Sequence, residues 1–541
     1  MDFIRRQCRA VMPIFVVFAL LSSGLIAWSA TAGTLPDWSS AECLRIVTDP
    51  RRIYEPPIQE EQAWRLLILR QEPAAGAMLL DQLSHEDEYT RLAAAKWLGW
   101  FRHPQSAQGL LKALNDTDSA VRSVAADSLG RLRDNTAVDA LLDTAQRDRD
   151  LAVRAAAIKA LGEIGDARAI PLLLKTLQQK DQAGALARLY GTVKAVVLLY
   201  PDYTHNSRPD VRYAAAQALG KMGTEAVDPL LKILSTKKDA GIRTLAIDAL
   251  GAIGDQRAAE ALVQAVAERN FPLRCAAAKA LVTIPDARAI PTLAKMLNSD
   301  DAREVTFAVH ALGATGDPRA AALLLETVRK RDRGFACIAL QALASIRDPA
   351  SLPAIIALSA DTRYYSTDLV CALEAYGDPA ATQALLTMLA NPASFYIRGD
   401  IALALGKPGN TAAIEPLCAQ YTQGGDAAAQ IIHALATIND RSVVPFLSAI
   451  PEGVRPLREQ LAVTWAQLKL GGADEAAMLE IVRHSLSEGD LVTRLDAIRL
   501  CGELKDEASL KFLHECLCNP YADHHTLEAA ISAMAKRQHM R

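Results

Sequence analysis

The chain has 541 residues, with 59 Lys or Arg against 62 Asp or Glu and a formal net charge of -3. Such a balance, with no basic patch to follow phosphates, excludes a nucleic-acid-binding surface. Half of the residues (50%) are hydrophobic but only 5% are aromatic, which suits Ala- and Leu-rich helices packed closely along an extended core.

Arg5, Arg6 and Arg9 precede an apolar run from Val11 to Trp28, broken by Pro13, Ser22, Ser23 and Gly24, and Ala30-Thr31-Ala32 follows. A basic start, an apolar stretch and an A-x-A site before Gly33 predict a cleaved signal peptide over residues 1–32. The alternative is an anchor retained over residues 11–28, because the run approaches the roughly 18-residue minimum of a membrane span. The expected location is exported, periplasmic or extracellular, or the inner membrane if the anchor is kept. Residues 33–86, with helical stretches at 63–70 and about 74–83, are expected to form an N-terminal helical cap, with Trp97, Trp100 and Phe101 packed beneath it.

From residue 87 one phrase recurs, as in Asp150 to Leu177, DLAVRAAAIKALGEIGDARAIPLLLKTL. The Gly of its ALG marks the phase at Gly99, Gly130, Gly162, Gly220, Gly251, Gly313, Gly406 and Gly502, with Val282, Ala344, Glu374 and Ala436 in the same place. Several consecutive steps, Gly220 to Gly251 to Val282 to Gly313 to Ala344, are 31 residues, the spacing of a solenoid repeat. Val153, Ala156, Ala157, Ala160, Leu161 and Ile164 follow helical spacing and make one apolar face. Four residues before the Arg of each VR pair stands an N-cap candidate: Asp87, Asp118, Asp150, Asp239, Asn270, Ser394 and Asp490. Four residues past each marker stands another: Asp134, Asp166, Asp255, Asp286, Asp317, Asp348, Asp378, Asp440 and Asp506, with Thr224 and Asn410 in the same role. Pro171, Pro229, Pro291, Pro353 and Pro445 follow five residues on and predict a bend. Each repeat is therefore a bent first helix and a straight second helix, regular over 87–178 and 209–450 and diverged over 451–541.

The matching text, VRxAAAxALGxIGDxRAxxxL at Val153 to Leu172 and Ile242 to Leu262, resembles the HEAT-like repeats of the phycobilisome-lyase type. The resemblance implies an all-α, right-handed α-α superhelical solenoid of about 13–14 helix pairs of ~31 residues, and a protein-binding role. Deoxyhypusine hydroxylases are built of similar repeats and bind two irons through His-Glu pairs at the starts of second helices. Here His85-Glu86 and His514-Glu515 are far apart and out of that phase.

The phase skips from Gly162 to Gly220, so residues 179–208 are a worn repeat, the favoured reading, or an insertion whose loop carries Tyr203 and His205. The Arg series at 91, 122, 154, 212, 243, 274, 398 and 494 is interrupted by Val305, Ala336 and Ser366, and its regularity predicts Arg–Asp bonds between neighbouring repeats. Phe271, Phe335, Tyr364, Tyr365, Phe395 and Tyr396 gather near second-helix starts, either as a partner-binding strip or as aromatics packed between repeats. His514, Cys516, Cys518 and His524 are candidate Zn or Cu ligands, but their spacing fits no strong template and no cofactor is expected. Cys275 and Cys337 read as small core residues. The expectation is a non-enzymatic protein-binding scaffold or assembly factor with a protein partner, no nucleic acid, and membrane contact only through an uncleaved N-terminus. The alternative is a catalytic or metal-handling subunit, an oxidoreductase or cofactor lyase.

Overall fold

A computed structural model describes residues 40, 41, 43, 44, 67, 72–101, 103–179, 211–330, 333–450, 456–471 and 475–502. Among these the chain is all-α, without a strand, and its 26 α-helices alternate as thirteen first-and-second pairs in chain order, the all-α solenoid that the repeat spacing predicts. No helix among the described residues is long and apolar enough to cross a membrane. Contacts divide the chain into one unit of Gln71–Ile397 and another that includes Arg398–Arg541. In the first unit each second helix packs on the next second helix and on the first helix before it, from Glu88–Leu98 to Thr367–Tyr376. In the second unit Ala428–Ile438 and Leu457–Leu470 repeat that arrangement.

The letters of a second helix explain its place. In Leu151–Ile164, Val153, Ala156, Ala157, Ile158, Ala160 and Leu161 are all buried, because the helix has a neighbour on each flank and a first helix behind it. Small residues allow that triple contact. A Cβ built on Gly130 would lie 2.7 Å from the Cα of Ala160, and one on Gly313 would lie 2.7 Å from the Cβ of Ala342, both far inside contact distance. The marker glycine is thus a helix–helix contact point, where only a hydrogen fits against the next repeat.

This contact also runs across the break in phase. Gly162 would place its Cβ 2.6 Å from the Cα of Ala218, so Leu151–Ile164 stacks directly on Val211–Lys221 as consecutive repeats do elsewhere. Lys221 and Glu163 form an ion pair across the same joint. Tyr203 and His205 lie outside the described residues.

Among the described residues the caps follow the sequence with three exceptions; Asp506 lies outside the described residues. Asp118 accepts from the backbone N–H groups of Ala120 and Val121, and Asp134 from that of Thr136. Thr224, in phase with Asp134, lies inside the 3₁₀ turn Gly223–Ala226 and caps nothing. The Asn410 side chain caps no helix start, and its amide instead donates to the Leu405 carbonyl at 2.8 Å. Ser394 is fully buried and donates to the Asn391 carbonyl, while Asn391 caps the turn Pro392–Ser394. Asp134→Ala should therefore cost about 1 kcal/mol, whereas Thr224→Ala should stay within about 0.5 kcal/mol; urea denaturation of the two variants checks the contrast.

First helices change their winding near the start where the sequence predicts a bend, and proline is not the cause. Most open with a 3₁₀ turn that passes into an α-segment, such as Ala167–Ala169 into Ile170–Leu177. Asn135–Ala137 into Val138–Arg147 does the same with Asp139 where Pro would stand. Pro171 sits in the first turn of its α-segment, where its missing N–H has no partner to lose. At the start of the array, Pro73–Gln82 packs on Glu88–Leu98 as its first helix. Phe101 is buried, but Trp97 is only half-buried, and Trp100 is 53% exposed with the Arg131 guanidinium 5.3 Å from its ring, so Trp100 is not covered as the sequence suggested.

Candidate functional site

The arginine series is resolved by its bonds. Arg91 donates to both oxygens of Asp116 at 2.7 and 2.9 Å, and to the carbonyls of His85 and Glu86 in its own turn. Arg122 repeats this one pair later, with Asp148 at 2.7 and 3.0 Å and the carbonyls of Asp116 and Thr117. Arg243 grips Glu268 in the same way, and Arg274 pairs with the buried Glu304. Hydrogen bonds from Arg122 hold the Asp148 carboxyl below its ordinary value, and those from Arg91 do the same for Asp116. Arg91 and Arg122 each commit four of their five N–H donors to these internal bonds, so the ladder from Arg91 to Asp116 and from Arg122 to Asp148 is structural.

Its carboxylate was legible in retrospect. Asp116, Asp148 and Glu268 each stand two residues ahead of an N-cap, at Asp118, Asp150 and Asn270. The first two also accept from the N–H of that cap residue. One acid caps the helix while the other receives the neighbour's arginine, so the signal is the pair D-x-D ahead of the VR.

A second set of pairs lies on the open surface. Asp166 caps its turn through the Arg168 N–H and receives the Arg168 side chain, which reaches back to Asp139 at 3.0 Å. Arg257 repeats this with Asp255 and Asp228. In each case the side-chain bond with the arginine holds the capping carboxyl low.

The aromatic candidates separate into two groups. Tyr365 is 2% exposed and its hydroxyl accepts from the Asn391 side chain, so it is a packing residue and not a surface for a partner. Phe271 is half-buried with the Arg303 guanidinium 4.8 Å from its ring, and Phe335 and Tyr364 are half-buried too. Phe395 and Tyr396 are 71% and 50% exposed. They meet edge to face at 5.4 Å, and the Tyr396 hydroxyl donates to the Tyr365 carbonyl at 2.7 Å, which fixes the pair in position.

Burial pushes the Cys275 thiol up to about 11, which leaves it protonated and a poor nucleophile at neutral pH. Cys337 is only half-buried, and so less enclosed than the core position the sequence suggested. No group of three or more His, Cys, Asp or Glu side chains among the described residues could hold a metal ion. His514, Cys516, Cys518 and His524 lie outside the described residues.

The family of HEAT repeats matches residues 61–119, 76–152, 108–190, 197–273, 227–313 and 264–336. The chain is a HEAT-repeat protein. No curated protein matches this HEAT-repeat chain in sequence. Among solved structures it is similar to yeast importin-beta, at 13% identity over 99% of this chain and 96% of that chain with a TM-score of 0.46. It is also similar to the complex of CpcE and CpcF of phycocyanin lyase from Nostoc sp. PCC7120, at 22% identity over 50% of this chain and 93% of that one, TM-score 0.29. Human deoxyhypusine hydroxylase is similar at 19% identity over 60% and 99% of the two chains, TM-score 0.21. Likeness at this level carries neither partner nor chemistry from those proteins to this one.

Proposed function

We propose that this HEAT-repeat protein is an exported, non-enzymatic scaffold or assembly factor that binds a protein partner through the edge carrying Phe395 and Tyr396. The observation that supports this reading is the exposed, mutually braced aromatic pair. Rigid aromatics lose little conformational freedom on binding and are enriched at interface hot spots. Export rests on the basic start, apolar run and A-x-A site of residues 1–32.

The test is capture of partners from the envelope fraction by the tagged chain starting at Gly33, in parallel with Phe395→Ala/Tyr396→Ala. Recovery of one stoichiometric protein, reduced about tenfold by the double substitution at unchanged circular dichroism, is the expected result. Equal recovery by the variant, or a stoichiometric transition metal in the purified chain, would overturn it.

A further inference from the structure

The arginine ladder is interrupted at Val305 and Ala336, whereas Ser366, in the arginine phase by sequence, is the N-cap of Thr367–Tyr376 in the structure; at Ala336 the missing side chain leaves a space. A cavity of about 220 Å³ is lined by Val328, Arg329, Ala336, Cys337 and Leu340 of one helix pair, and by Arg363, Tyr364 and Ser366 of the turn that opens the next second helix. This is the position through which Arg91 and Arg122 reach from one pair to the next. The receiving acid is gone as well: two residues ahead of the N-cap Ser366 stands Tyr364, where Asp116 and Asp148 stand in intact repeats. Both halves of the ladder bond are absent together, and the socket stays open.

The groups at its mouth are cationic donors. Arg329 is exposed and has no carboxylate partner among the described residues. Arg363 gives its Nε and Nη2 to Asp361, which leaves Nη1 outside that pair, and its guanidinium lies 5.8 Å from the Tyr364 ring. Ser366 Oγ accepts from the Leu369 N–H, so its own proton is available to donate. Below these donors the wall is apolar, formed by Val328, Ala336 and Leu340. A cation would meet two guanidinium groups at the mouth. A carboxylate on a short apolar stem matches both the donors and the floor.

We propose that this cavity is a socket for a glutamate side chain presented by the protein partner, an inference that rests on the protein-binding reading above. The carboxylate lies against Arg329, Arg363 and the Ser366 hydroxyl, and its methylenes lie on Val328 and Leu340.

The probe is a fluorescein-labelled peptide of alternating Leu and Glu, with its Leu-Gln counterpart as control, titrated by anisotropy against the chain starting at Gly33. The expected result is a preference of about tenfold for the Glu peptide, lost in Ala336→Arg/Tyr364→Asp. That variant rebuilds the ladder bond inside the socket and should melt no lower than the wild type, which separates loss of binding from loss of fold. Arg329→Glu, on the surface, should lose the preference too. Equal binding of both peptides, or a preference unchanged in Ala336→Arg/Tyr364→Asp, would overturn the socket. In the envelope capture, full recovery by Ala336→Arg/Tyr364→Asp removes the socket and leaves the scaffold reading intact. A carboxylate preference in a chain that captures no protein removes the scaffold reading and leaves the socket.

Discussion

Gly162→Val is expected to destabilise the unit of Gln71–Ile397 by about 3 kcal/mol, the upper end for overpacking a well-filled contact. The new side chain would begin 2.6 Å from the Cα of Ala218 and 2.8 Å from its Cβ, so backbone, and not the end of a flexible side chain, must move. The gain in helix propensity over glycine, below about 1 kcal/mol, does not offset it. Val282 supplies the internal comparison. It occupies the same phase and is 38% exposed, so the repeat position itself accommodates valine at that joint. Urea denaturation followed by circular dichroism should show an early loss of helix in Gly162→Val; a midpoint equal to wild type would mean that the joint between residues 164 and 211 is open in solution.

Arg122→Met should cost a similar amount, about 3 kcal/mol, because it leaves the Asp148 carboxylate between repeats without its counter-charge. Both side chains are under 10% exposed, at 7% and 9%, so the bond is not screened as the surface pairs are. The pH dependence has a definite sign. Asp148 is held below its ordinary value in the folded chain, chiefly by the hydrogen bonds from Arg122. Its contribution is therefore complete above the unfolded value of about 3.9 and is lost as pH falls through the lower folded value. The gap in stability between wild type and Arg122→Met should thus be widest near neutrality and narrow below about pH 4. Denaturation midpoints measured across that range test it, and a gap that stays constant would assign the loss to packing of the arginine stem.

Much of this was readable in the letters, and the misses have causes. Periodicity found the second helices because their burial is local in sequence: Val153, Ala157 and Leu161 recur on one face whatever the neighbour does. The caps at Asp118 and Asp134 were legible for the same reason. Thr224, Asn410 and Ser394 failed because phase fixes a position but not the direction of a side chain, and each had a competing carbonyl or a shifted turn. The ladder's acids were passed over because two acids stand one residue apart and only the three-dimensional stack shows which one the preceding repeat's arginine reaches. Tyr365 and Tyr396 lie close in phase, yet one is enclosed and the other open, a difference set by the following repeat and not by either residue.

The joint from Gly162 to Ala218 bears on how such a chain changes length over evolutionary time. Neighbours in the array are chosen by touch and not by order, since the glycine finds its alanine after 56 residues here and after 30 at Gly130 and Ala160. The link from a first helix to its second helix can therefore grow or shrink while the faces on either side keep their grip. Point changes at the joint are confined to hydrogen-sized side chains, whereas additions a few residues away face no such limit. In this architecture the most restricted positions and the most permissive ones lie within a single repeat of each other.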